Sequence, residues 1–173
     1  MGPLISVPIL AYALGQLFRA IAIVHALAYS GTGRRAVHLT PRAIGLFSAA
    51  VLAQGVVVNV VGALRASSLI GVILGALVAV GALSALWLGV SSLLPHGTAT
   101  LRERIPGALL YGIGSLALYL FDTIVVGWLI ETRVDTYGAL GAAAALLFSM
   151  YLTGRLIVGA AVLNATVAQR ARS

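Results

Sequence analysis

Residues 69–94 read LIGVILGALVAVGALSALWLGVSSLL, a run of 26 residues without a charged side chain. As an α-helix this run is about 39 Å long at 1.5 Å per residue, whereas the hydrocarbon core of a bilayer is about 30 Å thick. A helix at the surface of a soluble domain keeps one polar face toward water, and this stretch has none. The run therefore predicts a transmembrane helix.

Four further apolar runs flank this one and fill the chain. Proline, glycine and polar clusters separate them, since these residues end or begin helices. Thr40 before Pro41 predicts an N-cap, and Pro106 predicts the first turn of the fourth helix. The short polar segment 131–135 is predicted to separate the last two helices. The predicted fold is an all-α transmembrane bundle in one domain, residues 1–173, with five helices at about 3–29, 43–64, 69–94, 105–130 and 136–168.

The overall composition agrees with a membrane protein and excludes an ordinary soluble domain. Hydrophobic residues make up 61% of the 173 residues and charged residues only 9%, against roughly 25% charged in soluble domains. The lipid bilayer is therefore the predicted solvent. The chain has no cysteine, which excludes disulfides and thiolate metal sites.

The net charge of +7 predicts membrane orientation rather than nucleic-acid binding. All eleven basic residues are arginines, and they occur singly or in pairs without a dense run, so no nucleic-acid partner is expected. Cytoplasmic loops carry the excess of arginine. Successive loops of a membrane protein lie on alternate sides of the membrane. This places Arg65 and Arg133 on one side and seven arginines on the other. The seven are Arg34, Arg35, Arg42, Arg102, Arg104, Arg170 and Arg172. The N-terminus is therefore predicted to lie outside and the C-terminus in the cytoplasm.

Several short blocks in the second half of the chain form a recognisable series. They resemble the signature "LLP…PGAL…TYGSLGA…LYL…GAELNA" of the YihY/BrkB family of bacterial inner-membrane proteins. The matching blocks are Leu94-Pro95, Ile105-Pro-Gly-Ala-Leu-Leu110, Thr136-Tyr-Gly-Ala-Leu-Gly141, Met150-Tyr-Leu152 and Leu163-Asn-Ala165. A weaker match, to "FRAL…Y…RR", lies earlier, at Phe18-Arg19, Tyr29 and Arg34-Arg35.

This resemblance implies a compartment and a fold, the bacterial inner membrane and a six-helix unit with both ends cytoplasmic. The present chain then corresponds to the last five helices, which agrees with the N-terminus predicted outside. Two positions depart from the family pattern, because Val162 stands where the signature has Glu and Arg155 where the family is apolar. The family has no established activity, so the resemblance implies no reaction.

Groups that could perform catalysis are few. The chain has three histidines, 25, 38 and 96, and four acids, 103, 122, 131 and 135, without a metal-binding or nucleophile motif. We therefore predict no enzyme activity, no metal site and no cofactor. His25 is interpreted as a residue at the membrane interface.

Polar residues inside the predicted spans carry the functional signal, because a charge in the bilayer is costly unless it is paired or lines water. Two stripes at helical spacing stand out. They are Tyr111, Ser115, Tyr119 and Asp122 on the fourth helix, and Tyr12, Gln16 and Arg19 on the first. We predict that the stripes face each other and that Arg19 pairs with Asp122. A polar pathway and a structural pair, or an arginine reaching the interface, are both open interpretations.

The remaining intramembrane polar residues predict packing. Gln54 and Asn59 are expected to form hydrogen bonds between helices rather than to bind a substrate. Arg155 is expected to extend its side chain to the cytoplasmic interface or to pair with a neighbour. The small residues at Gly71 and Gly75, and those in 138–145, predict close helix contacts.

Two functions fit these patterns. The first is a permease or export component with a polar route framed by the first and fourth helices. The alternative is a non-catalytic accessory or scaffold subunit that packs through its Gly/Ala faces. Either a homo-oligomer or a complex with other membrane subunits is expected, because a five-helix portion of a six-helix unit leaves an apolar groove open.

Overall fold

The computed structural model describes residues 2–30, 40–65, 69–94 and 99–172, and nearly all of them are helical. The predicted loop with Arg34, Arg35 and His38 lies outside the described residues, as does His96. The elements in chain order are α1 (Gly2–Ser30), α2 (Pro41–Arg65), α3 (Leu69–Leu93), α4 (Leu101–Phe121), a π-helical segment (Asp122–Val126) and α5 (Gly127–Arg170).

Five helices are long and apolar enough to cross a membrane, as the hydropathy predicts. The spans are Tyr12–Tyr29, Pro41–Val60, Leu69–Leu93, Leu101–Val125 and Ala143–Arg170. Large apolar side chains cover their outer faces, and Leu52 and Met150, for example, are each 71% exposed. In water such a surface would drive aggregation, whereas lipid solvates it.

The helix starts follow local capping chemistry. The Ala43 N–H donates a hydrogen bond of 3.2 Å to Thr40 Oγ1, so the predicted N-cap before Pro41 is confirmed. The predicted start of the fourth helix at residue 105 is wrong, because α4 begins at Leu101. There the Thr100 N–H donates to Glu103 Oε2 at 2.8 Å, which is one half of a capping box.

Residues 131–135 are helical, since α5 is helical from Gly127 onward, so the predicted separation of the last two spans at this segment involves no loss of helical structure. The chain nevertheless reverses direction between Asp122 and Ser149. Asp122 contacts Ser149, and further along Gly107 contacts Asn164. Helix α4 and the second half of α5 therefore run antiparallel. Five residues from Asp122 adopt the wider π-helical turn, a geometry that often marks functional sites.

The contacts also place the arginines. Gln54 meets Tyr111 and Gly62 meets Tyr119, so α2 and α4 run parallel and begin at the same end of the bundle. The end of α5 returns to that end beside Gly107. We call it the arginine-rich end, since among the described residues it carries Arg42, Arg102, Arg104, Arg170 and Arg172.

The packed core lies between the arginine-rich end and the middle of the bundle, and all five helices contribute to it. Phe18 of α1 and Phe47 of α2 pack with ring centroids 5.2 Å apart. The other core residues are Ile21, Ala22, Trp87, Val90, Leu94, Ala108, Tyr111 and Ala160.

Glycines on α4 set how closely its neighbours approach. A β-carbon at Gly107 would overlap Asn164 and the Ala160 carbonyl oxygen of α5. A β-carbon at Gly112 would overlap Ser84 of α3. Helix α4 is therefore the helix against which α3 and α5 pack most closely, a role that the sequence patterns on α3 and α5 did not reveal.

Candidate functional site

A cavity of about 440 Å³ lies near the middle of the bundle and opens to its surface, where the lining residues Leu17 and Val51 are exposed. All five helices line it, for example Leu17 of α1 and Ile157 of α5. Most of its lining side chains are apolar. The lining side chains with hydroxyl or amide groups are Gln54, Asn59, Tyr111 and Thr153. A mostly apolar cavity with a few polar groups is typical of a small-molecule site.

A hydrogen bond between two helices forms the polar centre of this cavity. The Tyr111 hydroxyl donates to Gln54 Oε1 at 3.0 Å, and Ser115 lies within hydrogen-bonding reach of the same tyrosine. Tyr111 is the middle residue of α4, and Gln54 lies one residue from the middle of α2. The bond therefore lies near the middle of both helices.

Aromatic rings extend from this centre toward the arginine-rich end. Trp87 stacks on Tyr111 with centroids 4.3 Å apart and planes 13° from parallel. His25 follows, with its ring centroid 5.8 Å from that of Trp87. The side chain of His25, expected at the membrane interface, faces the interior of the bundle, because it is only 1% exposed and its Nδ1 bonds the Ile21 carbonyl oxygen at 3.1 Å.

Two of the predicted amide residues have different roles. Gln54 makes the expected interhelical bond. Asn59 does not, since its Nδ2 donates to the Gly55 carbonyl oxygen of its own helix at 2.8 Å. Both line the cavity, which the sequence did not favour.

The predicted pair of Arg19 and Asp122 is wrong. Tyr12, Gln16 and Arg19 all lie on the exposed face of α1, and Tyr12 is 70% exposed. The stripe on α4 points the other way, because Tyr111 is buried and Asp122 is half-buried. The two stripes therefore do not face each other.

Asp122 instead bonds within the α4–α5 hairpin. Its Oδ2 accepts a hydrogen bond of 2.8 Å from the Ser149 hydroxyl. Its Oδ1 is buried and has no hydrogen-bond partner among the described residues. Tyr119, one turn earlier, is half-buried, and its carbonyl oxygen accepts a bond from the Thr123 hydroxyl at 2.8 Å. The carboxylate thus fixes the start of the π-helical segment against α5.

Arg155 lies on the exposed face of α5. It lies near the middle of the span Ala143–Arg170, and the expected extension of its side chain to the membrane interface stays a prediction. It does not line the cavity.

Three residues near the arginine-rich end were not predicted from their spacing. Trp87 Nε1, Asn164 Nδ2, and Arg104 Nε and Nη1 are all buried without a hydrogen-bond partner in the described part of the chain. Arg104 is only 8% exposed, although its sequence context predicts only a charge in a loop. The signal that could have found it is its spacing, since Arg104, Gly107, Ala108 and Tyr111 share one helical face.

Within residues 2–30, 40–65, 69–94 and 99–172, no group of three His, Asp or Glu side chains could hold a metal ion. Comparisons of the chain with protein-family models, with curated proteins and with solved structures find no match.

Proposed function

We propose that this protein is a permease- or export-type membrane component that binds an amphiphilic molecule in the cavity between its helices and passes it through the bilayer. The observation that carries this proposal is the cavity with its Gln54–Tyr111 hydrogen bond near the middle of both helices. No catalytic step is part of the function.

The chemistry of the lining selects the class of solute. Its apolar side chains, such as Val58 and Leu86, suit hydrocarbon and offer nothing to a small hydrophilic ion. The hydroxyl and amide groups of Tyr111 and Gln54 can each exchange their mutual bond for one to a polar atom of the solute. A molecule with an apolar body and a polar group fits both features, which favours a lipid-like amphiphile.

The proposed route passes through this cavity and not between Arg19 and Asp122, where the sequence predicted it. Those two side chains lie on different faces of the bundle, so they do not frame a common route. The route proposed here runs between α2, α3 and α4, past Gln54, Trp87 and Tyr111.

The membrane and its orientation belong to the same proposal. Five spans support an integral membrane protein, and the resemblance to the YihY/BrkB family supports the bacterial inner membrane. The arginine-rich end is then cytoplasmic, because positive side chains are retained on that side.

Lipid translocation in reconstituted vesicles tests the proposal. Gly55 lines the cavity, and a β-carbon there meets no atom within 4 Å. Gly55→Phe should therefore fill the cavity without a clash at the helix backbone. We expect the wild-type protein to move a fluorescent lipid analogue between leaflets faster than empty vesicles do, and Gly55→Phe to abolish most of this rate.

Gly45→Phe is the matched control. Gly45 lies on the same helix, is exposed, has equally open space and does not line the cavity. It should translocate as the wild type does. Equal rates in the wild type, Gly55→Phe and empty vesicles would contradict the proposal.

A second groove favours the alternative function as an accessory subunit. It has a volume of about 620 Å³ between α2 and α3 and is lined largely by small residues, including Ala53, Ala82, Ala85 and Gly89. Small residues let another helix approach closely. If the protein is a scaffold, Ala85→Trp should disrupt its association, measured as the mass of the purified complex, while lipid translocation is absent from every variant.

A further inference from the structure

The cavity contains polar groups, but none of the described residues that line it is charged. Its amide and hydroxyl side chains are Gln54, Asn59, Tyr111 and Thr153. Each of these groups can donate and accept hydrogen bonds, and none can neutralise an ionic charge. An ion that moves from water into such a site loses its hydration without gaining a counterion, which is unfavourable. The lining therefore favours a polar group that carries no charge.

The opening of the cavity lies on the side of α1 and α2. The lining residues of α3, α4 and α5 are buried or half-buried, and every exposed lining residue belongs to α1 or α2. The exposed ones are Leu17, Val51, Gly55 and Asn59.

This opening lies within two of the candidate spans. Leu17 belongs to the span Tyr12–Tyr29, and Val51 lies at the middle of the span Pro41–Val60. In the proposed membrane the opening therefore faces acyl chains and not water. A solute that enters here carries its polar group through hydrocarbon, and hydrocarbon disfavours a charged group strongly. The position of the opening thus points to the same class of solute as the lining does.

The polar groups are arranged from the opening to the inner wall. Asn59 is exposed, Gln54 is half-buried and Tyr111 is buried. Asn59 Nδ2 uses one N–H for the Gly55 carbonyl oxygen, and Gln54 Oε1 accepts the Tyr111 hydroxyl. One such bond does not use the full capacity of an amide, which has two N–H donors and one carbonyl acceptor. A hydroxyl or carbonyl oxygen that enters can therefore bond first to Asn59 and then to Gln54.

We infer that the cavity selects amphiphiles with an uncharged polar group, one with hydroxyl or carbonyl oxygens, over amphiphiles with an ionic headgroup. The polar group bonds Gln54 and Tyr111, and the apolar chain extends through the opening between α1 and α2. A volume of about 440 Å³ is typical of a small-molecule site, so the cavity holds the polar group and the first part of the chain. The inference rests on the proposed function and names the class of its substrate.

Quenching of Trp87 fluorescence by brominated amphiphiles tests this selectivity. Trp87 lines the cavity and is buried. The other tryptophan is removed by Trp128→Phe, and the full chain is reconstituted in phosphatidylcholine vesicles. Three probes share one dibrominated octadecyl chain and differ only in the headgroup, which is a neutral alcohol, an anionic sulfate or a cationic trimethylammonium group. A parallel series with brominated phosphatidylcholine measures the quenching that lipid at the protein surface causes.

We expect the alcohol to reach half-quenching at a mole fraction at least about tenfold lower than either ion does, because only the ions lose hydration without compensation. Gly55→Phe fills the cavity and should reduce quenching by the alcohol to the level of phosphatidylcholine. The three probes are compared on one protein whose cavity residues are unchanged, so this measurement does not depend on the folding of a cavity variant.

Gln54→Leu tests the hydrogen bond to the polar group. It should raise the half-quenching fraction of the alcohol about fivefold, the effect of one uncharged hydrogen bond. Gln16→Leu is the matched control, because Gln16 lies on the exposed face of α1 and does not line the cavity. It should change this fraction by less than about twofold. Equal effects of the two variants would overturn the role assigned to Gln54.

The other outcomes separate the selectivity from the proposed function. If the alcohol and either ion have equal half-quenching fractions and Gly55→Phe still abolishes the quenching, the selectivity is overturned and the proposed function stands, because the chain alone then occupies the cavity. If no probe quenches beyond the level of phosphatidylcholine, or if Gly55→Phe leaves the quenching unchanged, the cavity does not bind the amphiphile and the proposed function is overturned as well.

Discussion

Tyr111 joins the three features on which the proposed function depends. Its ring stacks on Trp87, its hydroxyl bonds Gln54, and its side chain lines the cavity. The aromatic packing and the hydrogen bond can be separated, since phenylalanine keeps the first and removes the second.

Tyr111→Phe is predicted to lower stability and transport together. Loss of the hydroxyl leaves Gln54 Oε1 without its partner, which costs about 1 kcal/mol, up to about 3 for a buried group. The melting temperature in detergent should fall, and lipid translocation should slow. Tyr151→Phe, at an exposed tyrosine on α5, should change neither quantity. Unchanged melting temperature and rate in Tyr111→Phe would show that the bond with Gln54 has no role.

Gly112→Ala is predicted to destabilise the contact of α4 with α3. The added methyl group would overlap Ser84, and such overpacking costs about 1–3 kcal/mol. Gly81→Ala is the control, because a β-carbon there meets nothing within 4 Å, and alanine favours a helix by up to about 1 kcal/mol. Thermal unfolding should show a lower melting temperature for the first variant and an equal or higher one for the second. The reverse order would contradict the assigned packing.

At the residue scale, spacing predicted which side chains share a helical face but not where that face points. Arg19 and Asp122 both end stripes with correct helical periodicity, yet one stripe faces outward and the other inward. In a soluble helix the apolar face identifies the inside. In a membrane helix both faces are apolar, so that information is missing. The interhelical role of Gln54 could be predicted because an amide in the bilayer needs a partner on some helix.

At the element scale, the central parts of all five helices were predictable and several of their ends were not. Bilayer thickness sets the length of each apolar run, and Thr40 with Pro41 marked the start of α2. The start of α4 was predicted too late, because Pro106 indicated the first turn. Proline is tolerated a little further into a helix, and the cap is formed by Thr100 and Glu103. The π-helical segment has no composition signal, because its position depends on where Asp122 meets α5.

Ser149→Ala is predicted to destabilise the hairpin of α4 and α5. It would leave the Asp122 carboxylate without its one hydrogen-bond donor in the described structure, at a cost of about 1–3 kcal/mol. Ser92→Ala removes an exposed hydroxyl that bonds only its own helix and should have little effect. Arg19→Gln should not alter the Ser149→Ala effect, since Arg19 lies on another face. If Ser149→Ala lowered the melting temperature only when Arg19 is present, the result would support an ion pair between Arg19 and Asp122.

At the scale of the whole molecule, the described arginines concentrate at one end of the bundle, and this asymmetry predicts the orientation in the membrane. Hydropathy and arginine counting alone predicted the number of spans and a charged end, because the bilayer constrains both strongly. The cavity could not be predicted, because it depends on how five similar apolar surfaces interlock. The buried position of Arg104 depends on the same packing.

The orientation has a direct test in a chain without cysteine. Ala171→Cys, at the arginine-rich end, should resist an impermeant thiol reagent in intact cells and react after the membrane is opened. Ser67→Cys, between α2 and α3 in the sequence, should react in intact cells. If only Ala171→Cys were labelled in intact cells, the orientation would be the reverse of the one proposed.

The central claim is that the cavity holds an amphiphile, and electron density from crystals grown in a lipidic mesophase would test it most directly. We predict elongated density in the cavity between Gln54, Trp87 and Tyr111. The same map of Gly55→Phe should show the phenyl ring in place of that density. A wild-type map in which the side chains close the space and leave it empty would contradict the claim.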